Sequence, residues 1–385
     1  MISNADEFSD IRPYTDEEAK AVFSKLAGNP LIEKISRMLF PEENPQFMGN
    51  ALKKISGVDE FQRVIIKRGI EWILDHTVRD FSYDGIDNVK KVNGKFLTLS
   101  NHRDIIVDPA ISQYVLFTNG FGTSQLCVGD NLLSNPYVEI LLRSNKMIKV
   151  IRGISARTLY LSSMLLSRYI RQTITSGESS VWIAQREGRT KDGKDSTEQG
   201  LLKMLDMSGS KDFVANFKEL NMLPLSISYE YEPCDILKAR EVLISRTSKY
   251  VKRENEDVES ILYGLKQWKG NVHLNIGAPL TEEELEEASQ CVKNDRYLYI
   301  RSAVDKRIIE GYKLWKTNYM GYDLANSVSK YASRYTEKDL ENFKAYVEEK
   351  LATVEPELDK AELRDIFLRI YGNPVQSKED LSASL

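Results

Sequence analysis

Histidine occurs three times in this chain, at His76, His102 and His273, and the placement of His102 suggests proton chemistry. It follows the apolar run Phe96–Leu99 after Ser100 and Asn101, and precedes two aspartates, Asp104 and Asp108. A neutral imidazole takes a proton from an alcohol when a carboxylate on its other ring nitrogen fixes the tautomer. Asp104 is two residues along in an extended segment, from which a side chain points away from the ring. It also suits the cap of a helix beginning near Ile105. Asp108 lies beyond five intervening residues and is the preferred partner, with Asp104 kept as its rival. His76 falls in a helical pattern and His273 inside an apolar run, and both read as packed or surface residues.

A second chemical segment follows the apolar run Val181–Ala184: Gln185, Arg186, Glu187, Gly188, Arg189, Thr190 and Lys191. Glycine lets backbone N–H groups approach an anion closely, and guanidinium groups at Arg186 and Arg189 can grip phosphate oxygens in pairs. The segment therefore reads as a phosphate-holding loop. Cys127, Cys234 and Cys291 are too widely spaced for a disulfide framework or a metal cluster, and the histidines are not grouped, so neither a metal site nor a bound cofactor is expected. Ser100 and Cys127 lack the setting of a covalent nucleophile.

The elements that must position these residues show in the hydrophobic pattern. Short apolar runs recur at Phe96–Leu99, Gln125–Val128, Met147–Ile151, Val181–Ala184, Leu225–Ser228 and Val272–Ile276. Helix-length stretches such as Ile105–Leu116, Ala156–Ile174 and Asp235–Val251 separate them. This alternation predicts an α/β fold with a mostly parallel sheet flanked by helices, in which ligands gather at the carboxyl ends of the strands. His102 and the Glu187–Arg189 loop both stand at such ends. Residues 1–90 read as a helical N-terminal region, with a capping box at Thr15–Glu18, helical spacing over Val58–Val78 and a turn at Asp80–Gly85. Residues 91–278 form the α/β unit and 279–375 a helical C-terminal region with start signals at Thr281–Glu284 and Thr336–Asp339. The apolar-poor end, 376–385, is expected to be disordered. Ala156–Ile170 reads foremost as a core helix, with an apolar slot for a chain as its alternative role.

The chain has 385 residues and a formal net charge of −4, which argues against nucleic acid as a partner. The N-terminus lacks the apolar core of a secretory signal, and no window approaches the roughly 18 apolar residues of a spanning helix. A cytoplasmic protein that meets a membrane only from its surface, on the inner face, is expected.

Four blocks in order sharpen this reading. Asn101-His102 with Asp108, then Met147–Arg152-Gly153, then Glu187-Gly188-Arg189-Thr190, and finally Met222-Leu223-Pro224-Leu225 resemble the glycerolphosphate and lysophosphatidate acyltransferase family across residues 95–232. The layout, with helical flanks, is similar to a bacterial branch of 1-acylglycerol-3-phosphate acyltransferases. The resemblance implies transfer of a fatty acyl group from a coenzyme A or acyl-carrier-protein thioester to the hydroxyl of a lyso-lipid acceptor, in phospholipid synthesis. It implies His102 as general base, Asp108 as its orienting carboxylate, and Arg152, Glu187, Gly188 and Arg189 as the acceptor's phosphate site. Pro224 and Arg186 join as further candidates. The sequence departs from the pattern in having five rather than four residues between His102 and Asp108, and Gln185-Arg186 where relatives carry Phe-Pro. An acyltransferase for another lyso-lipid, such as an amino-acid lipid, or a non-catalytic lipid-binding relative, are the alternatives.

Overall fold

The computed structural model describes residues 7–133, 135–152, 155–253 and 256–383. Its centre is a sheet of seven strands: β1 (Val78–Asp84), β2 (Leu97–Ser100), β3 (Gln125–Gly129), β4 (Met147–Val150), β5 (Val181–Ala184), β6 (Leu223–Tyr229) and β7 (Gly270–Ile276). Their order across the sheet is β1-β7-β6-β2-β5-β3-β4. The strands from β6 to β4 are mutually parallel, β7 runs antiparallel to β6, and β1 follows β7 in parallel. The α/β class expected from the alternation of runs is the observed one. Both faces are covered by helices, which explains why β2 is buried at every position, its polar Thr98 and Ser100 included.

On one face Leu97, Leu99, Val181 and Ile183 pack with Leu166 and Ile170 of helix Ala156–Thr175 and with Ile300, Val304 and Ile308 of helix Asp295–Gly311. On the other, Leu223, Leu225 and Val272 pack with Val107, Ile111 and Val115 of helix Val107–Thr118. The N-terminal helices close a separate core around Phe23 and Phe61. The C-terminal helices close another around Phe343, Phe367 and Tyr371. The capping boxes at Thr15, Thr281 and Thr336 are all formed.

Two expectations are corrected. Of the stretch Asp80–Gly85, read as a turn within a helical N-terminal region, Asp80–Asp84 belong to β1, so that region contributes a strand to the sheet. Its composition (Val-Arg-Asp-Phe-Ser-Tyr-Asp) carries no apolar run because it is an edge strand with one hydrogen-bonded neighbour, and charged side chains on such an edge deter further pairing. Gly85 then turns at φ +77°, where a Cβ would stand 2.0 Å from the Ile276 carbonyl oxygen. The expected disordered end is instead helical: residues 376–383 continue helix Lys360–Ala383. Composition misled there because the segment is held by polar contacts rather than apolar ones. Glu379 accepts hydrogen bonds from Tyr322, Lys330 and Tyr331, and Lys378 donates to the Glu310 carbonyl at 2.9 Å. Residues 384–385 lie outside the described residues.

Lys269, at the foot of β7, is wholly buried and donates to Gln267 O at 2.8 Å and Thr77 Oγ1 at 3.1 Å. Loss of water holds its ammonium down to about 8, although Asp104 pulls the other way. The unfolded chain therefore carries the extra proton between about pH 8 and 10.4, and stability from this group rises with pH across that window. Relative to Lys269→Met, the native chain should gain of order 3 kcal/mol on going from about pH 7 to 10.5, as read by denaturant unfolding of both proteins. A pH-independent difference would show that Lys269 is neutral, or equally solvated, in both states.

Candidate active site

The parallel strands deliver the chemical residues to one edge of the sheet. His102 leaves β2, Gln185 to Thr190 leave β5, and Arg152 leaves β4. Backbone bonds carry the pairing past the strand ends: Gln185 N donates to Ser100 O at 2.8 Å, and Thr190 N donates to His102 O at 2.7 Å. Asn101, fully buried, ties the exit of β2 to β6, accepting from Ile227 N at 2.8 Å and donating to Ile227 O at 3.0 Å. His102 is thus fixed on both sides by its main chain.

The imidazole meets Asp108. Nδ1 of His102 lies 3.0 Å from Oδ2 of Asp108, which is fully buried, while the His102 side chain keeps 14% of its exposure. The same Oδ2 accepts the backbone N–H of Arg103 and of Asp104, the latter at 2.8 Å. Oδ1 accepts the Tyr229 hydroxyl at 2.6 Å. The ring of Trp182, from β5, stands edge-on to the imidazole at 5.9 Å. With Nδ1 held as donor to a carboxylate, Nε2 is the nitrogen left to accept a proton.

Asp104 does something else. Its Oδ1 accepts from Ile106 N at 2.9 Å and Val107 N at 2.8 Å, which caps the helix starting at Val107. The extra residue between His102 and Asp108 is absorbed in the turn at Ile105 and Ile106, so the helix begins late enough for its first-turn aspartate to fold back on the loop.

The phosphate-site candidates are only partly brought together. Arg152 pairs with Glu187 at 3.2 Å, both side chains well exposed, and its backbone N–H donates to Asp130. Gly188 turns at φ +70° in open space, so it serves the turn and not a close approach. Two N–H groups of the loop are already engaged, Glu187 N by the Glu198 carboxylate and Thr190 N by His102 O. Arg189 lines a cleft of about 210 Å³ with Lys238, Tyr250, Arg253 and Tyr263. Its Nη1, like Nε of Arg186, is buried with no hydrogen-bond partner among the described residues. Pro224 is buried in β6 beside Leu99, accepts from Gly277 N, and shares no hydrogen bond with His102. Gly153, in the second block, lies outside the described residues.

Sequence reasoning missed three participants. Tyr229 carries no signal beyond its place in an apolar strand, because its role depends on reaching across from β6. Trp182 is equally silent. Arg103 was passed over as a neighbour of His102, yet it is wholly buried and donates to Asp195 at 2.6 Å and Gly193 O at 3.1 Å, with Glu232 at 3.4 Å. Lys238 joins this cluster, donating to Arg103 O at 2.7 Å and Glu232 at 2.6 Å. Cys127 and Cys234 are poor nucleophiles, since burial pushes the Cys127 thiol up and that of Cys234 to about 11.

No family model matches the chain, and no curated protein matches it. Among solved structures, it is similar to the crystal structure of the 1-acyl-sn-glycerophosphate (LPA) acyltransferase PlsC from Thermotoga maritima, at 16% identity over 77% of this chain and 96% of that one, with a TM-score of 0.39. A TM-score that low carries no argument about this chain.

The geometry separates the two aspartates experimentally. Asp108→Asn should remove the low-field Nδ1 proton of His102 from the spectrum of protein labelled with ¹⁵N-histidine. Tyr229→Phe should shift that resonance and cost about 1–3 kcal/mol for the oxygen left unpaired. Asp104→Ala should leave it in place while lowering stability by about 1 kcal/mol, the worth of a lost cap. Loss of the signal in Asp104→Ala alone would reverse the assignment.

Proposed function

We propose that this chain is an O-acyltransferase that moves a fatty acyl group from a coenzyme A or acyl-carrier-protein thioester to the hydroxyl of a glycerol-phosphate-type acceptor, 1-acyl-glycerol-3-phosphate. The observation that carries the proposal is the His102–Asp108 hydrogen bond at 3.0 Å, on a carboxylate with no exposure and an imidazole that keeps some. A lipid-binding module has no use for a base locked in one tautomer at the edge of a sheet. In this reading Nε2 of His102 takes the acceptor's hydroxyl proton as the oxygen attacks the thioester carbonyl. The tetrahedral adduct collapses, the C–S bond breaks, and the departing thiolate receives that proton from the imidazolium. Asp108 stabilises the imidazolium between these steps.

Acceptor choice rests on the arginines. Arg189 is the stronger candidate for the phosphate, because one of its N–H groups lacks a partner among the described residues whereas Arg152 is already matched by Glu187. A phosphate beside Arg189 would supply the missing acceptor, and a bidentate grip there would favour arginine over lysine. The site would work at a membrane surface, since the acceptor resides in a bilayer. Among the described residues no helix is long and apolar enough to cross one.

Two kinetic results follow. His102→Ala should lower kcat by 10²–10⁴-fold, roughly the worth of a general base, with folding intact. Arg189→Ala should cost about 1.5–3 kcal/mol in kcat/KM for a phosphorylated acceptor, and Arg189→Lys a large part of that. The KM for the thioester should move less. If the Arg189 penalty falls on the thioester instead, that arginine holds the donor's phosphates, and an acceptor without a phosphate, such as an amino-acid lipid, becomes the better reading.

A further inference from the structure

Helix Ala156–Thr175 belongs to the protein at one end only. From Leu166 onward it packs into the sheet's core through Leu166, Tyr169, Ile170 and Ile174. Every residue from Ser155 to Leu161 is exposed, including Leu159, Tyr160 and Leu161 at 52, 57 and 56%. Consecutive residues are 100° apart around an α-helix, so these three sweep more than half its circumference. Single exposed apolar side chains are ordinary, but three adjoining ones on a projecting turn form a patch that calls for a partner.

Position and charge say what the partner is. The helix begins four residues after Arg152, which follows β4 and pairs with Glu187 at the edge where His102 stands. The patch therefore follows closely in sequence the exit of β4 at that edge. Residues 140–177 hold seven lysines and arginines and no aspartate or glutamate, in a chain whose net charge is −4. Most of those cations are matched by carboxylates from elsewhere in the fold, but Arg157, on the exposed turn itself, has no ion-pair partner among the described residues.

We propose that this helix end is the element that docks the protein on an anionic lipid surface. Leu159 and Leu161 enter the boundary of the acyl chains, Tyr160 rests at headgroup depth with its hydroxyl wet, and Arg157 meets lipid phosphate. A second copy of the chain is a poorer occupant, because a stable dimer needs roughly 1,200–2,000 Å² of matched surface and one projecting turn supplies little of it. An acidic carrier protein would be met by a cluster of cations rather than by three large apolar side chains and one arginine. A bilayer accepts an apolar tip whatever faces it presents. The proposal leans on the acyltransferase reading only for why the acceptor would lie in that bilayer, and the docking itself is measurable without it.

The experiment uses the full chain and vesicles of phosphatidylcholine with and without phosphatidylglycerol. In sedimentation, the native chain should bind the mixed vesicles at low salt and be released as salt rises. Replacing Leu159, Tyr160 and Leu161 together by serine should lower the partition coefficient at least about tenfold, given the apolar area withdrawn. Because none of the three belongs to a hydrophobic core cluster among the described residues, its melting temperature should change little. Arg157→Gln should weaken binding to the mixed vesicles and flatten the salt dependence. Tyr160→Trp should acquire quenching by brominated lipid over the background of the native tryptophans. If transfer activity is found, the serine variant should keep it on a short-chain monomeric acceptor and lose it on vesicle-embedded acceptor. Unchanged vesicle binding by the serine variant, absence of quenching at position 160, or loss of a dimer in sedimentation velocity in place of lost lipid binding would each overturn the proposal. An absence of any transfer would leave these binding results standing and count only against the enzyme reading.

Discussion

The candidate site depends on one buried anion. A carboxylate removed from water is costly unless donors replace the water it loses, and Asp108 has four: the main chain of Arg103 and Asp104, the Tyr229 hydroxyl and Nδ1 of His102. Three of these come from the loop that follows β2, so the loop is wrapped around the carboxylate instead of merely lying near it. The imidazole is the only one of the four that retains contact with solvent. Orientation of His102 is therefore a by-product of satisfying Asp108, and any change at Asp108 must be felt in the loop's backbone as well as in the ring.

A second set of buried charges holds that loop from behind. Arg103 and Lys238 face Asp195 and Glu232, all four nearly without exposure. Such a cluster contributes little net stability, because desolvation offsets most of its Coulomb energy, but removing one member strands the others. Its effect is geometric. Asp195 also accepts from Asn101 and Thr190, so β2's exit, β5's exit and the segment after β6 are fastened at one point. The C-terminal helices complete the brace: Tyr371 donates to Asp235 and accepts from Glu232 N, and Gly193 packs against the Ile370 carbonyl. The helical flank thereby acquires a reason to be present, as the backing of the loop that carries Arg189.

Against this rigid backing, the outward side of the site is loosely bonded. Arg186 and Arg189 each keep a buried N–H without a partner among the described residues, whereas Arg152 and Glu187 pair across exposed ground, where an ion pair is worth little. The phosphate proposed for this loop would give these arginine groups the acceptor they lack among the described residues.

The sequence alone determined what local pattern can encode. Six short runs rich in apolar residues marked six of the seven strands, because strands of a sheet covered on both faces are mostly buried, and the three capping boxes are contacts within four residues. His102 was conspicuous for the same local reason, a titratable ring directly after a buried strand. Tertiary structure decided the rest. β1 has an edge strand's mixed composition, and the last helical turns are held by polar contacts with distant residues, so neither had an apolar signature to read. Asp104 and Asp108 are alike in sequence, and which one meets the ring was settled by where the helix starts and by a tyrosine 121 residues away. Arg152 and Arg189 looked like one phosphate clamp until the fold gave the first to Glu187 and turned the second toward a cleft, since the side chain's partner is chosen by strand order and not by spacing along the chain.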